Sequence, residues 1–470
     1  MAEGGIGCTE SETGCSNLYS RHSKNYVESV SVEICSIMTR LGYSEEIRRW
    51  RIEKYKENDR IFNALNAETG EANKITAGSK AEGLTNVHES DMDVLAVFKG
   101  VLCVEAGINL HTIPEDIDVF RMDTRVYQGH CILLQERPAN ARYDVITNAL
   151  CDDGYGDVIL SSSLFLDKWQ ATGDKFPEWV VYHERAGPSM PISVGDIHHG
   201  DRVLALRCHY PSILQKWAAR PRYWPSPDIV KKVVSLGAYV TPVGFRHSLY
   251  KHIEWRICFN TGEAELVNNL HETQTKIYVI LKMIVKDIMK PQNKEITSYV
   301  LKNIILWQAE NTPQTEFHER NLLHWLHDGL RELRTAIEIK QLRYYMIPDR
   351  NLMAACGLGD VLQHKWVADI TEMLEEGPRV ILRLPKIRQA IVASPEPMLW
   401  FSKKKMEMEM LYLVMRNRHT QNPNVFDDSD CIQNAIMTRL TGLSIEIFLQ
   451  MIQEGSSLMS VFTLIKYLFK

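Results

Sequence analysis

From Asn25 to about Ala67, apolar residues return at roughly three- and four-residue spacing through Val27, Val30, Val32, Ile34, Ile37, Met38 and Leu41. That period predicts helix. Because the second half of the segment is densely charged, a single long, partly exposed helix is expected there. From Ile75 to about Asn260 the texture changes to short β-rich runs, such as 94–98, 131–134 and 203–206, set apart by Gly, Pro and Asn. This part reads as mixed α/β. From Glu272 onward the helical period returns, with Ile277, Ile280, Leu281, Ile284 and Ile288 on one face and Lys282 and Lys286 on another. Pro291 closes that helix, and the next begins near Ser298, a good N-cap residue, and runs through Trp307. Further helices are expected over 322–339 and 361–375 and again beyond Glu376-Gly377-Pro378, with a loop at Asn422-Pro423-Asn424. No internal repeat is visible at any fixed period.

At 470 residues, with 45% apolar and 24% charged positions, the chain has the composition of a folded globular protein and the length for two lobes or several subdomains. Residues 1 to about 20 are aperiodic and rich in Gly, Ser and Glu, so a disordered tail is expected there. The ten cysteines lie far apart without a CxxC pair, which predicts reduced thiols and no structural zinc. No basic segment followed by an apolar run opens the chain, and no window approaches 18 uncharged apolar residues. The expectation is a cytoplasmic protein with no membrane partner. The apolar stretch 458–469 is broken by Lys466 and reads as an amphipathic terminal helix.

The chemistry begins at Gly78-Ser79, followed about a dozen residues later by Ser90-Asp91-Met92-Asp93-Val94. Side chains alternate along a strand, so Asp91 and Asp93 project from one face while Met92 and Val94 pack on the other. Adjacent carboxylates repel, and the pairing makes sense where hard cations such as Mg²⁺ or Mn²⁺ lie between them. The Gly-Ser turn can offer backbone N–H groups and a hydroxyl to a triphosphate. Taken singly, a D-x-D is mostly a solvated strand edge and Gly-Ser only a turn; the joint spacing is what describes a nucleotidyltransferase site. A two-metal clamp needs a third carboxylate. Asp201, directly before the strand-like run 202–206, is the candidate, and Asp196 is its rival.

The ordered motifs GS…SDMDVLAVF, GDRVLALRC, Trp224-Pro225, IEWRICF, TSYVLKNIILW and YYMIPDRNL resemble cyclic GMP-AMP synthase and its cGAS-like receptor relatives of the Mab-21 superfamily, over about residues 25–355. The resemblance implies an α+β fold: a bilobal nucleotidyltransferase core with a central mixed β-sheet and a long N-terminal spine helix, then a helical C-terminal lobe. Its divisions would be a tail over 1–20, the core over 21–270, the helical lobe over 271–355 and a helical extension over 356–470. It further implies Asp91, Asp93 and Asp201 as metal carboxylates, Gly78 and Ser79 against the triphosphate, Lys282 and Ser298 as phosphate contacts, Arg256 at a purine edge and Tyr299 stacked on a base. Where the vertebrate sensors carry a Cys/His zinc insertion, VNNLHETQTKIYVIL has one His and no Cys. The zinc-free receptors are the nearer analogues.

The whole chain carries a formal charge of −5, so nucleic-acid binding requires a local patch. Between Arg202 and Arg256 ten basic residues stand against two acidic ones, interleaved with Tyr210, Trp217, Tyr223 and Trp224. That stretch suits a duplex phosphate backbone, RNA in preference to DNA. The resulting expectation is a nucleic-acid-activated enzyme that joins ATP and GTP into a cyclic dinucleotide in innate immune sensing. The alternative is a catalytically inactive Mab-21-like scaffold or nucleotide-binding protein.

Overall fold

The computed structural model describes residue 18 and residues 21–453, apart from 69, 88, 141, 173–179, 186, 195–197, 292–294, 394–395 and 422–429. Apart from Leu18, which is buried in the main core, the expected tail therefore lies outside the described residues, as do the 422–424 loop, the 458–469 helix and Asp196. The N-terminal region is two helices rather than one: α1 (Lys24–Met38) and α2 (Glu45–Leu65) meet at a π-turn over Thr39–Tyr43. Gly42 takes φ 88° there, a backbone state glycine enters without steric cost, and Ser44 accepts from the Ile47 N–H to start α2 afresh. An apolar period that continues across a glycine does not reveal that break.

The α/β part contains β1 (Ala72–Thr76), the short α3 (Gly78–Ala81), β2 (Met92–Val104), β3 (Asp118–Asp123), β4 (His130–Arg137), α4 (Asp144–Thr147), β5 (Leu150–Asp152), β6 (Val158–Leu160), α5 (Ser162–Thr172), β7 (Val180–Tyr182), β8 (Ser189–Val194), β9 (His198–His209), α6 (Pro211–Ala218), α7 (Pro227–Leu236), β10 (Ala238–Thr241) and β11 (Glu254–Cys258). The sheet runs β1-β2-β3-β4-β11-β10-β9-β8-β7, and a further β2–β9 pairing closes six of its strands into a ring. It is mixed: β2 runs parallel to both β3 and β9, while the neighbouring pairs along the rest of that order are antiparallel. Period two sorts its faces. Ala96, Phe98, Leu204 and Leu206 enter the main core. Leu95, Val97, Ala205 and Tyr239 form a small separate cluster with Ile75 and Val203.

The helical part follows with α8 (Asn260–Asn268), α9 (Glu272–Ile284), α10 (Ser298–Asn311), α11 (Leu322–Ile339), α12 (Asp360–Glu376), α13 (Pro385–Val392), α14 (Glu396–Gln421) and α15 (Cys431–Gln453). α9 is two-faced only towards its end, where Lys282 is half-buried and Lys286 beyond it is exposed. Residues 273–281 are all buried, because α1, α10 and α11 pack around it. Lys276 survives that burial by pairing with Glu272 at 2.9 Å and donating to the Thr39 hydroxyl.

α14 and α15 carry a core of their own through Met408, Ile436, Leu440, Leu443 and Ile447. By length and composition alone α15 is apolar enough to cross a membrane, with mean hydropathy 1.3 over 18 residues, of which 28% is buried. The sequence criterion of an uncharged window overlooked it, because Arg439 and Glu446 interrupt the run. Those charges are paired, Arg439 with Glu407 and with Glu446, and Glu446 with Lys404 of α14.

Candidate functional site

Asp93 is the second residue of β2 and Asp201 the fourth of β9, and the parallel register sets them side by side. Neighbouring strands lie about 4.8 Å apart, and register partners share a face. Both continue the face of Leu95, Val97, Val203 and Ala205, so it is the period-two logic of the strands that brings the acids together. Asp91 stands just before β2, exposed. The Asp93 carboxyl is pushed up to about 6, first by burial and then by the negative charges of Asp201, Asp91 and Glu82, with Lys302 opposing.

These acids are near enough to feel one another without forming a closed cage. Among the described residues no group of three or more His, Cys, Asp or Glu is gathered tightly enough to hold a metal ion. The chemistry of the donors nevertheless fits a hard divalent cation: they are carboxylate oxygens only, they repel one another, and the excess negative charge at Asp93 is what such an ion would neutralise.

Gly78 abuts this acid directly. It has φ 62°, and a Cβ built on it would lie 2.1 Å from Asp93 Oδ2, so no other residue fits without moving the carboxylate. The Ala77 N–H donates to the Asp93 carbonyl at 2.9 Å, fixing the turn against β2. Ser79 follows in α3, and Lys282 of α9 donates to its hydroxyl at 2.6 Å. Burial lowers the Lys282 pKa, and Glu82 pulls it back up.

Two cavities meet here, sharing Ser79, Asp93 and Ser298. The outer one, about 910 Å³, is lined by Ser90, Asp91 and Glu89 and by Lys282, Lys286, Lys290 and Lys386, the last paired with Glu89 at 2.6 Å. The inner one, about 230 Å³, runs between Gly78, Thr241, Arg256, Cys258 and Tyr299. Eight of the nine residues singled out from sequence thus line one continuous cleft: Gly78, Ser79, Asp91, Asp93, Arg256, Lys282, Ser298 and Tyr299. Asp201 lines neither cavity and reaches the cleft only as the strand neighbour of Asp93.

Ser298 is the first helical residue of α10 rather than its cap. Thr297 holds the N-cap position, without a side-chain capping bond. Tyr299 is both a packed tyrosine and a cavity wall: its hydroxyl donates to Glu263 at 2.7 Å and its ring lies 5.7 Å from that of Tyr344. Glu254, two residues before Arg256 on β11, accepts from the Phe245 N–H and the Ser248 hydroxyl.

Several cleft residues escaped the sequence reading. Lys302 lies one helical turn beyond Tyr299, buried between Glu82 at 2.6 Å and Glu263 at 3.5 Å. Lys286, which the helical period put on the face of Lys282 without giving it a role, is one turn beyond that residue; the same spacing from Tyr299 could have found Lys302. Nothing in the sequence points to Lys386, which comes from α13 about a hundred residues away.

The basic run 202–256 is not one continuous face. Arg220 pairs with Glu310 at 2.9 Å and lies over Trp307 and Tyr345, Arg222 lies over Trp217, and Lys232 pairs with Glu265 at 2.6 Å. Arg256 lines the inner cavity. Arg207, Lys216, Lys231, Arg246 and Lys251 are exposed. The described cysteines, at 35, 103, 131, 151, 208, 258, 356 and 431, are free thiols.

Residues 273–364 match the family model of the Mab-21 protein HhH/H2TH-like domain. A cyclic GMP-AMP synthase-like receptor from Aethina tumida is 21% identical over 220 residues, which covers 45% of this chain and 54% of that relative. The match therefore spans about half the length of the curated relative. The helical segment that carries Lys282, Ser298 and Tyr299 falls inside the family model, so the chain is similar to Mab-21 proteins over that segment and to the cGAS-like receptor over 220 residues.

Proposed function

We propose that this protein is a metal-dependent nucleotidyltransferase that joins two nucleoside triphosphates, ATP and GTP, into a cyclic dinucleotide when double-stranded nucleic acid binds, and that it acts in the cytoplasm as an innate immune sensor. The observation that carries the reading is the register of Asp93 beside Asp201 on two parallel strands, with Gly78 packed against Asp93 and the Lys282 ammonium on the Ser79 hydroxyl.

In this reading Asp91, Asp93 and Asp201 hold Mg²⁺ or Mn²⁺, and when bound the ions supply charge neutralisation to the triphosphate and the departing pyrophosphate. Ser79, Ser298 and Lys282 fix phosphate oxygens, and the N–H groups at the start of α3 add donors beside them. Arg256 offers a planar fork to purine acceptors at the inner end of the cleft, and Tyr299 offers a ring face. Asp201 assists removal of the ribose hydroxyl proton. The exposed Arg207, Lys216, Lys231, Arg246 and Lys251 serve duplex RNA in preference to duplex DNA through sequence-independent phosphate contacts.

Purified protein incubated with labelled nucleotides, Mg²⁺ or Mn²⁺ and duplex RNA or DNA is expected to give a phosphatase-resistant product, and Asp91→Asn combined with Asp93→Asn is expected to abolish it. The ungathered carboxylates favour one other reading, a scaffold that keeps the fold without turnover. Absence of both product and Mn²⁺-dependent nucleotide binding under every nucleic acid would decide for the scaffold.

A further inference from the structure

α13 and α14 lie beyond the segment matched by the family model, yet they grip the loop that delivers Asp91. Glu409 of α14 is buried, and each of its carboxylate oxygens takes one bond from Arg51 and one from the loop. Oε1 accepts from Arg51 Nε at 2.9 Å and from the Val87 N–H at 3.1 Å. Oε2 accepts from Arg51 Nη2 at 2.7 Å and from Asn86 Nδ2 at 2.9 Å. Arg51 also donates to the Gly42 carbonyl at 2.8 Å and the Gly83 carbonyl at 3.4 Å, which ties the π-turn and the loop's first residue to the same pair. Three residues further on, Lys386 of α13 holds Glu89 at 2.6 Å and the Tyr43 hydroxyl at 2.7 Å.

Residues 83–91 are thus held at 83, 86, 87 and 89 and end on Asp91. A fully satisfied buried carboxylate is an all-or-none fastener: charge-assisted bonds of this kind fix geometry, and removing one partner leaves a buried charge uncompensated. An apolar contact would have joined α14 to α2 equally well. What it would not do is set where the Val87 backbone lies.

We propose that the C-terminal helices form part of the nucleotide cleft, with Glu409 as a positioning residue that acts through Asn86 and Val87 to hold the 83–91 loop, and with it Asp91, ready for metal and triphosphate. This rests on the metal-nucleotide reading above. Asn86→Asp tests it while leaving the Arg51–Glu409 pair in place, since a nearly isosteric carboxylate would face Glu409 across the 2.9 Å now spanned by a hydrogen bond. Asn86→Ala is the milder second variant, deleting that bond without adding charge.

Two readouts are taken on the full chain: amide hydrogen exchange over 84–91, and the Mn²⁺ concentration needed for half-maximal binding of a fluorescent ATP analogue. The expected result is exchange about tenfold faster in Asn86→Asp and about threefold faster in Asn86→Ala, with the Mn²⁺ midpoint rising by similar factors and the melting temperature lowered in Asn86→Asp and little changed in Asn86→Ala. Unchanged exchange in both variants would overturn the clamp. Faster exchange with an unchanged Mn²⁺ midpoint would overturn the positioning role and leave a structural staple. A wild-type protein that binds no Mn²⁺–nucleotide would sink the metal reading itself, and the exchange experiment would still decide whether the clamp holds the loop.

Discussion

The two cavities that meet at Asp93 are built on opposite electrostatic plans. In the inner one, Asp93 and Arg256 aside, the charges form a network within the protein: Lys302 lies between Glu82 and Glu263, and Glu263 accepts from the hydroxyls of both Tyr299 and Tyr344 at 2.7 Å. Burial opposes the Lys302 charge, and the two carboxylates outweigh it, holding its pKa well above the usual lysine value. In the outer one the exposed lysines 286 and 290 and the half-buried Lys282 face a side carrying Asp91 and Ser90. The inner cavity is a finished network that can shape a pocket for a base. In the outer cavity Lys386 is paired with Glu89 at 2.6 Å, while Lys286 and Lys290 stand exposed, the arrangement a metal-bound phosphate chain requires.

The contrast is sharpest at Lys302. Lys302→Met leaves two buried carboxylates facing each other without their shared cation, and removal of one partner from a buried ionic network costs about 3–5 kcal/mol. The expected outcome is a large fall in denaturant midpoint with an unchanged slope. A variant within experimental error of the wild type would show that the inner cavity is hydrated and that its network does not shape it.

Asp93 behaves in the reverse sense, because its environment opposes its charge. Its folded pKa of about 6 lies above the ordinary 3.8, so the unfavourable contribution is absent below about 3.8 and complete above about 6. Without added metal, stability therefore falls as pH rises through that window, by no more than about 3 kcal/mol and by less once solvent screening is counted. Asp93→Asn is expected to raise the melting temperature at pH 7 and to remove this dependence on pH. Adding Mn²⁺ is expected to stabilise the wild type and not the variant. A melting temperature for Asp93→Asn below that of the wild type would mean that the carboxylate is a structural partner.

How much of this could be read from the chain depends on the range of the interaction. Asp91, Asp93 and the Gly78-Ser79 turn were legible because strand alternation and a short loop bring them together within about fifteen residues. Asp201 was legible as a candidate only, since the β2–β9 register that pairs it with Asp93 is a property of the closed sheet. Period alone missed the burial of 273–281 on every side of α9, though it placed Lys282 correctly on the open face at that helix's end, and it ran through the π-turn at Gly42. Composition could not sort the 202–256 stretch, because a count of basic residues cannot show that Arg220 and Lys232 are already paired with acids from α10 and α8. The grip of Glu409 on Asn86 and Val87 spans more than 320 residues and leaves no local trace.

The smallest effect on stability, and the most selective one, is expected in the outer cavity. Lys286 and Lys290 are exposed, so changing both to alanine should leave stability within about 0.5 kcal/mol of the wild type. If these side chains meet the phosphates of an incoming nucleotide, the loss shows in binding instead. Affinity for Mg²⁺–ATP is expected to fall about tenfold at low salt, and the gap between wild type and variant to narrow as ionic strength rises, because exposed charges act through a screened field. Lys282→Ala differs in kind: it also removes the bond to the Ser79 hydroxyl, so its defect should persist at high salt. Equal salt dependence in the two variants would erase the distinction between a steering charge at the rim and a positioned group at the junction of the two cavities.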